Sequence, residues 1–157
     1  MKILLVSVGK QHDSYIQTGV QDFSSRINKY FPCDWLMISP PKNAASLPEN
    51  ALKKAEAQLI LSQIQKDDFV VLLDEKGKNI SSPELSNLIQ QQANQATKRI
   101  VFLIGGAFGV DELVAQKAHF TWSLSKLVFP HMLVRLILAE QVYRACTILK
   151  NEKYHHI

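Results

Sequence analysis

Cysteine is scarce in this chain, which holds only Cys33 and Cys146 among 157 residues. The two lie far apart, and neither belongs to a Cys-x-x-Cys pair or to a cysteine–histidine cluster with the spacing of metal ligands. Disulfide-dependent secreted proteins carry more cysteines, and structural zinc sites need closely spaced ligands. The scarcity therefore predicts a reduced, cytoplasmic protein that holds no metal.

Long apolar runs are missing as well, because no stretch approaches the about 18–20 uninterrupted apolar residues that cross a bilayer. The N-terminal segment MKILLVSVGK holds a short run that ends in a glycine turn. No small-residue cleavage site follows, so we interpret it as a first strand and not as a signal peptide. With 46% hydrophobic and 20% charged residues, the chain resembles an ordinary globular protein, and its length favours a single domain over residues 1–157.

Residues 1–97 carry no net charge, because they hold ten basic and ten acidic side chains. Residues 98–157 hold eight basic side chains against four acidic ones, so the net charge of +4 comes entirely from this part. Four of the five histidines also lie there. A basic half indicates an anionic partner such as nucleic acid. The alternative, a basic protein without such a partner, stays open on charge alone.

Segments with the patterns of strands and helices alternate along the chain. The apolar strand segments lack a polar–apolar alternation, which is typical of a parallel sheet covered on both faces. We therefore predict an α/β fold, a mostly parallel sheet with helices on both faces, whose strands lie at about 2–8, 34–39, 69–73, 100–104 and 120–124. Helices are predicted to begin after Asp13, at about 48, after Ser81, near Asp111 and at Pro130.

Four local signals refine these boundaries. Asp13 is expected to cap the first helix, and Ser81 with Glu84 resembles a capping box for the third. The segment Asp74-Glu75-Lys76-Gly77 is expected to end the third strand. The second helix, over about 48–65, is expected to bury one apolar stripe that consists of Leu52, Ala55, Leu59, Ile60 and Ile64.

Three loops at the carboxyl ends of strands have unusual sequences. They are Leu73-Asp74 after the third strand, GGAFG (105–109) after the fourth and SKLVFP (125–130) after the fifth. Ligands bind beyond such ends in an open parallel sheet, and adjacent glycines let the backbone approach a ligand. The glycines match neither G-x-G-x-x-G nor a phosphate-binding P-loop. We predict that the loops form one pocket; for the glycines alone, a plain turn is the alternative.

The final helix is apolar on nearly every side, so we expect it to be buried all round. A C-terminal helix in so short a chain favours a second subunit as its cover, most simply a second copy. His131 and Arg135 lie one helical step apart on one face, and Glu140 and Arg144 on the opposite face. The alternatives are an ordinary ion pair for Glu140 and Arg144, and a hydrogen-bonded residue at the helix start for His131.

Several longer motifs together match one known family. They are LDEKGKNISS (73–82), LIGGAFG (103–109), WSLSKLVFPHMLVR (122–135) and AEQVYRACTI (139–148), followed by Tyr154-His155. Along its entire length the chain resembles the RlmH (YbeA) family of SPOUT-superfamily methyltransferases. The combination of FPH-x-x-x-R, EQ-x-YRA and a terminal Tyr-His is highly specific for that family.

The resemblance implies a fold, a cofactor and a substrate. The expected fold is an α/β SPOUT domain with a C-terminal trefoil knot, in which the knot and the cofactor site occupy about residues 70–157, and the protein works as a homodimer. The expected reaction uses S-adenosylmethionine to methylate N3 of a pseudouridine in 23S rRNA, in a stem-loop at the subunit interface of the ribosome. By resemblance, the cofactor contacts Leu73, Gly105, Leu124, Ser125, Lys126, Leu127, Val128 and Phe129.

The same resemblance indicates four candidate catalytic residues, His131, Arg135, Tyr154 and His155. An imide N3–H is a poor nucleophile until its proton leaves, so a positioned base assists. His131 and His155 are both candidates for that base. Arg135 and Lys126 are expected to neutralise phosphate or the charge that develops on the uracil oxygens. Methyl transfer of this kind needs no metal.

The chain departs from the family pattern at Met132, where a glutamine is frequent, and in its last residues, where Lys153 replaces a proline. Residues after Lys150 are expected to emerge at the dimer interface, so we hypothesise that Tyr154 and His155 of one subunit complete the site of the other. A frayed terminus is the alternative.

A non-catalytic ribosome- or RNA-binding factor that retains the knot is the alternative function. A Rossmann-type methyltransferase is disfavoured because no glycine-rich turn follows the first strand.

Overall fold

A computed structural model describes residues 1–156 of the chain. Five strands alternate with five α-helices and one short 3-10 helix at Ala44–Ser46. The strands are β1 (Lys2–Val8), β2 (Cys33–Ile38), β3 (Asp68–Asn79), β4 (Arg99–Ile104) and β5 (Phe120–Ser123). The helices are α1 (Ser14–Ile27), α2 (Glu49–Leu61), α3 (Ser82–Asn94), α4 (Glu112–Ala115) and α5 (His131–Leu149). Among the described residues no helix is long and apolar enough to cross a membrane.

The strands form one sheet in the order β2-β1-β4-β3-β5, and all the pairings are parallel. Successive side chains of a strand point to opposite faces. Ile3 and Leu5 accordingly join a buried cluster with residues of α1, α3 and α5, whereas Leu4 and Val6 join a second cluster with residues of α2 and α4. The predicted α/β fold, a parallel sheet with helices on both faces, is confirmed. The trefoil knot depends on how the chain threads through itself and stays a prediction.

The strand β3 is longer than predicted, because the chain returns to the sheet after Asp74–Gly77. Leu73 pairs with Trp122 of β5, the register then shifts, and Lys78 pairs with the same Trp122. A side chain at Gly77 would overlap the backbone of Thr121 and Trp122 at 2.7 Å, so only glycine fits this return. The prediction that Asp74–Gly77 ends the strand is therefore wrong, since these residues form an excursion within it.

Two further local predictions are corrected, and one is confirmed. Asp13 occupies the N-cap position of α1, but its side chain makes no capping hydrogen bond. The helix α2 ends at Leu61, and Leu59 is 39% exposed, so it does not belong to the buried stripe. The capping box of α3 is present, because the Ser81 backbone N–H donates to Glu84 Oε2 over 2.7 Å and the Ser81 hydroxyl accepts from the Glu84 N–H.

The helix α5 packs between α1 and α3 of its own chain. Leu138, Ala139 and Val142 are completely buried in this way. The expectation that another subunit is the obvious cover for this helix is therefore wrong for these positions, because two helices of the same sheet face enclose it. Other apolar positions of α5 stay partly accessible, and Leu133 is 38% exposed.

Candidate functional site

A cavity of about 1100 Å³ opens at the carboxyl edge of the sheet. β3 lies between β4 and β5, which brings the ends of β4 and β5 beside the excursion that interrupts β3 after Leu73. The predicted loops therefore meet, and seven of the eight predicted cofactor residues line this one cavity: Leu73, Gly105, Leu124, Ser125, Leu127, Val128 and Phe129. The eighth, Lys126, is exposed and lies outside the cavity lining. The volume suits a ligand of nucleotide size.

The glycine loop after β4 folds as a tight turn. The Gly109 N–H donates to the Gly106 carbonyl over 3.0 Å, which leaves Phe108 at the tip with 53% of its surface exposed. A Cβ on Gly105 would lie 2.7 Å from Val110 Cγ1 and 3.1 Å from the Gly109 backbone. The reason for glycine at position 105 is thus the packing within the loop.

The loop that follows β5 is held by two short side-chain contacts. The Ser123 hydroxyl donates to the Ser125 carbonyl over 2.9 Å, and the Ser125 hydroxyl accepts from the Leu127 N–H over 3.0 Å. Leu127 and Val128 beyond this turn are 70% and 83% exposed. Apolar side chains with so little protein around them form an exposed apolar rim at the mouth of the cavity.

His131 begins α5 at the wall of the cavity. Burial lowers the pKa of its imidazole below the usual 6.5, and the positive charge of Arg135 lowers it further. A histidine with a lowered pKa is neutral at pH 7, and a neutral imidazole can accept a proton. The predicted base thus lies where a bound ligand would be.

Arg135 is 1% exposed, and its guanidinium holds the segment that follows β1. Its Nε donates to Ser7 Oγ over 2.9 Å, and its Nη1 donates to the Lys10 carbonyl over 2.9 Å and to Met132 Sδ over 3.3 Å. Among the described residues it makes no ion pair with a carboxylate. Sequence reasoning expected Arg135 to neutralise a phosphate or the charge that develops on the uracil oxygens. The structure buries the guanidinium at the cavity wall, and either role stays a prediction.

The C-terminal tail folds onto the far part of α5. The Tyr154 hydroxyl donates to Glu140 Oε1 over 3.1 Å, and its ring packs 4.7 Å from that of Tyr143. Glu140 lies nine residues beyond His131 on the helix, which corresponds to about 13 Å. Neither Tyr154 nor His155 is among the residues that line the cavity of the same chain.

Glu140 and Arg144 form the i,i+4 ion pair that the spacing indicates, with Arg144 Nη2 and Glu140 Oε1 2.5 Å apart. The guanidinium of Arg144 also lies over the Tyr154 ring, 4.8 Å from its centre. His155 Nδ1 is buried and has no hydrogen-bond partner among residues 1–156. The pair thus anchors the tail on α5.

Sequence reasoning missed one acidic residue of the cavity wall, Glu56 on α2, which is 5% exposed. It also missed the segments after β1 and β2 that line the same cavity, among them Gly9 and Pro40. A signal for Glu56 was present, because it stands between Leu52 and Ile60 at helical spacing, on the stripe that faces the sheet. A carboxylate at that position of an apolar stripe is exceptional.

Three comparisons relate this chain to known methyltransferases, two through its sequence and one through its fold. A family model described as "Predicted SPOUT methyltransferase" matches residues 1–155. Two relatives named "Ribosomal RNA large subunit methyltransferase H", from Christiangramia forsetii and Cytophaga hutchinsonii, are 45% and 42% identical over 156 residues, which cover 99% of this chain and 99% and 100% of theirs. A probable methyltransferase structure from Bordetella pertussis has a similar fold, with a TM-score of 0.56 at 13% identity over 92% of this chain and 96% of that one.

Proposed function

This chain belongs to the SPOUT methyltransferase family, and from that premise we propose that it uses S-adenosylmethionine to methylate N3 of a pseudouridine in 23S rRNA. The curated relatives carry large-subunit ribosomal RNA in their names, which supports the RNA substrate. The pseudouridine and its N3 position follow from the resemblance of FPH-x-x-x-R and EQ-x-YRA to the RlmH family. The reaction takes place in the cytoplasm, where ribosomes are.

The single observation that carries the proposal is the convergence of three separate loops on one cavity. Leu73 lies where β3 leaves the sheet, Gly105 follows β4, and the cavity-lining residues of the run 124–129 follow β5, yet all three segments border the same space. These residues fit a nucleoside with an amino-acid tail. Apolar side chains of Leu73, Leu127 and Phe129 suit the flat adenine, and backbone groups of the loops suit its polar edge.

When bound, S-adenosylmethionine supplies the methyl group on a positively charged sulfur. The chain's own residues then position the base and take its proton. His131, neutral because its pKa is lowered, accepts the N3 proton from its place at the cavity wall. The Arg135 guanidinium fixes the segment after β1 and places a positive charge beside the site, which favours the anionic form of the base.

A homodimer completes the site in this proposal. Tyr154 and His155 do not line the cavity of their own chain, so in this proposal they reach the cavity of a partner. His155 is only partly buried, so part of its imidazole is accessible to a partner subunit. The apolar rim at Leu127 and Val128 supplies surface for the contact between subunits. The knot and the cofactor loops lie within about residues 70–157 of a single domain.

The test combines binding with turnover. Calorimetry is expected to show one S-adenosylmethionine site per chain, and incubation with unmodified ribosomes is expected to add one methyl group to one pseudouridine, located by mass spectrometry of rRNA fragments. Ribosomes that carry uridine at the same position are the control and should stay unmethylated. Cofactor binding without any methylation would contradict the proposal and indicate a non-catalytic RNA-binding factor.

A further inference from the structure

Glu56 is a buried carboxylate that no other side chain of the described chain satisfies. The residue as a whole is 5% exposed, and within residues 1–156 it makes neither an ion pair nor a side-chain hydrogen bond. Its carboxylate oxygens are not among the described atoms that are closed off from solvent without a partner, so they keep contact with open space. Its side chain borders the cavity at the carboxyl edge of the sheet. Acids on a buried helix face are ordinarily paired, because partial removal from water without a partner already disfavours the charged form. A group placed in this way points to a partner that comes from outside the chain.

The carboxylate of Glu56 is fixed against the glycine loop. A Cβ on Gly106 would overlap Glu56 Oε2 and would lie 2.8 Å from both Cδ and Oε1. Glycine at 106 therefore leaves room for this carboxylate, as glycine at 105 leaves room for Val110. Burial disfavours the charged form of Glu56 and raises the pKa of its carboxyl group. The loop and the acid form one unit, and that unit faces the ligand space.

We propose that the Glu56 carboxylate accepts hydrogen bonds from the two ribose hydroxyls of S-adenosylmethionine, an inference that rests on the proposed function. Two neighbouring hydroxyls present two neutral donors that match the two oxygens of one carboxylate. The α-ammonium of the same ligand fits less well, because its carbon also bears a carboxylate and would bring a second anion close to Glu56. The nucleoside end is also the end that the apolar Leu73, Leu127 and Phe129 suit.

Glu56 thus acts as an acidic ribose acceptor that is supplied by a helix. In dinucleotide-binding folds the corresponding acid follows a strand, about twenty residues after the glycine motif. Here the acid precedes the glycine loop in the chain and reaches it from α2, on the sheet face opposite to α5. Its role is binding and orientation of the nucleoside, and it takes no part in the proton transfer at N3.

The test measures binding of S-adenosylhomocysteine by calorimetry, so that no turnover interferes. Glu56→Gln keeps the shape of the side chain and removes its charge and one acceptor, and its dissociation constant is expected to rise about tenfold to a hundredfold. Glu49→Gln, an exposed acid on the same helix, is the matched control and should bind like the unmodified protein. Circular dichroism checks that each variant folds, and Glu56→Asp, which withdraws the carboxylate, provides a second variant with the same expected loss.

Ligand fragments identify which part of the ligand meets Glu56. Methylthioadenosine keeps the ribose and lacks the amino-acid tail, so it should lose affinity in Glu56→Gln by the same factor. A 2′,3′-dideoxy analogue, which lacks both hydroxyls, should bind the unmodified protein more weakly but be indifferent to the substitution. A loss confined to ligands with the amino-acid tail, or unchanged affinity in Glu56→Gln and Glu56→Asp, overturns the inference. Absence of any binding to the unmodified protein overturns the proposed function itself, and the inference with it.

Discussion

The guanidinium of Arg135 donates a hydrogen bond from Nε to the hydroxyl of Ser7 over 2.9 Å, and both residues are buried. This bond joins the second turn of α5 to the end of β1. Next to it, Gly9 has a φ of +137°, and a Cβ there would lie 2.9 Å from Arg135 Nη2. The conformation of Gly9 thus makes room for the arginine, and the cation determines where the segment after β1 lies at the cavity.

The first prediction concerns this bond. Ser7→Ala leaves a buried guanidinium N–H without its acceptor, so the free energy of unfolding should fall by about 1.5–3 kcal/mol. Ser82→Ala is the control, because its hydroxyl donates one neutral bond, to Gln141 Oε1 over 2.6 Å. That control should lose only about 0.5–1.5 kcal/mol. Urea unfolding measures both, and equal losses would show that the charge of Arg135 adds nothing to the Ser7 bond.

The second prediction compares two adjacent aspartates. Asp68 is buried and bonds to Arg99 Nε over 2.8 Å and to the Gln65 N–H over 2.7 Å. Asp68→Ala leaves the arginine without its partner, and a loss of about 3–5 kcal/mol in the free energy of unfolding is expected. Asp67→Ala breaks only an exposed contact of 3.9 Å with Lys98 and should leave stability unchanged within error. A comparable loss in Asp67→Ala would contradict the assignment.

The third prediction uses the raised pKa of Glu56. An acid whose pKa is raised by folding binds more protons in the folded state than in the unfolded state. Its contribution therefore lowers the free energy of unfolding as the pH rises above the pKa of the unfolded chain, about 4.5. Glu56→Gln should therefore unfold at a higher temperature than the unmodified protein at pH 7.5. Each kcal/mol relieved corresponds to about 2–4 °C for a chain of this size.

The difference in unfolding temperature should shrink towards pH 4.5, where the glutamate is protonated in the folded state. Scanning calorimetry at the two pH values measures it, and Glu49→Gln serves as the exposed control, for which no rise is expected. A gain in Glu56→Gln that is the same at both pH values would mean that packing, and not ionisation, accounts for it.

The fourth prediction concerns RNA affinity. The excess positive charge lies in residues 98–157, so ribosome binding should weaken steeply as salt rises, because cations replace condensed counterions on the RNA. Lys126→Glu, an exposed change at the rim of the cavity, should weaken binding and reduce the salt slope by about one or more. Lys66→Glu, in the part of the chain with balanced charge, should have a smaller effect. Sedimentation with ribosomes between about 50 and 200 mM salt measures both, and an affinity indifferent to salt would contradict the electrostatic origin.

The fifth prediction concerns the shared site. One protein that lacks residues 153–157 and another that carries Gly105→Val should each be inactive, the second because the new side chain overlaps Val110 and distorts the loop. A heterodimer of the two contains one site with an intact loop from one chain and an intact tail from the other. After random exchange about half of the dimers are heterodimers, and each of these holds one intact site out of two. About a quarter of the activity should therefore return.

Subunit exchange in that mixture is followed by native mass spectrometry. Each of the two variants, mixed with itself, provides the control and should remain inactive. Inactive heterodimers, once their formation is established, would mean that the tail and the loop of each site belong to a single chain.

Local sequence signals were sufficient for the architecture. The unbroken apolar strands predicted a parallel sheet covered on both faces, and the Ser81–Glu84 capping box predicted the start of α3, since both depend on neighbours in the chain. The cofactor loops were predictable for a related reason, because the carboxyl ends of parallel strands lie on one edge of a sheet and motifs at those ends share that edge. The sequence alone thereby determined the fold class, the three loops of the pocket and the family.

Only the tertiary structure decided which way the charged and polar side chains face. Arg135 points inward to Ser7, although 128 positions separate them, because the order β2-β1-β4-β3-β5 places β1 beneath α5. The same order places Glu56 against Gly106 and leaves Tyr154 far from the cavity of its own chain. Helical periodicity predicts which side of an element is apolar but not which side chains of the neighbouring element contact that side. Contacts between distant residues depend on that packing, and these contacts determine which of the candidate residues can act together.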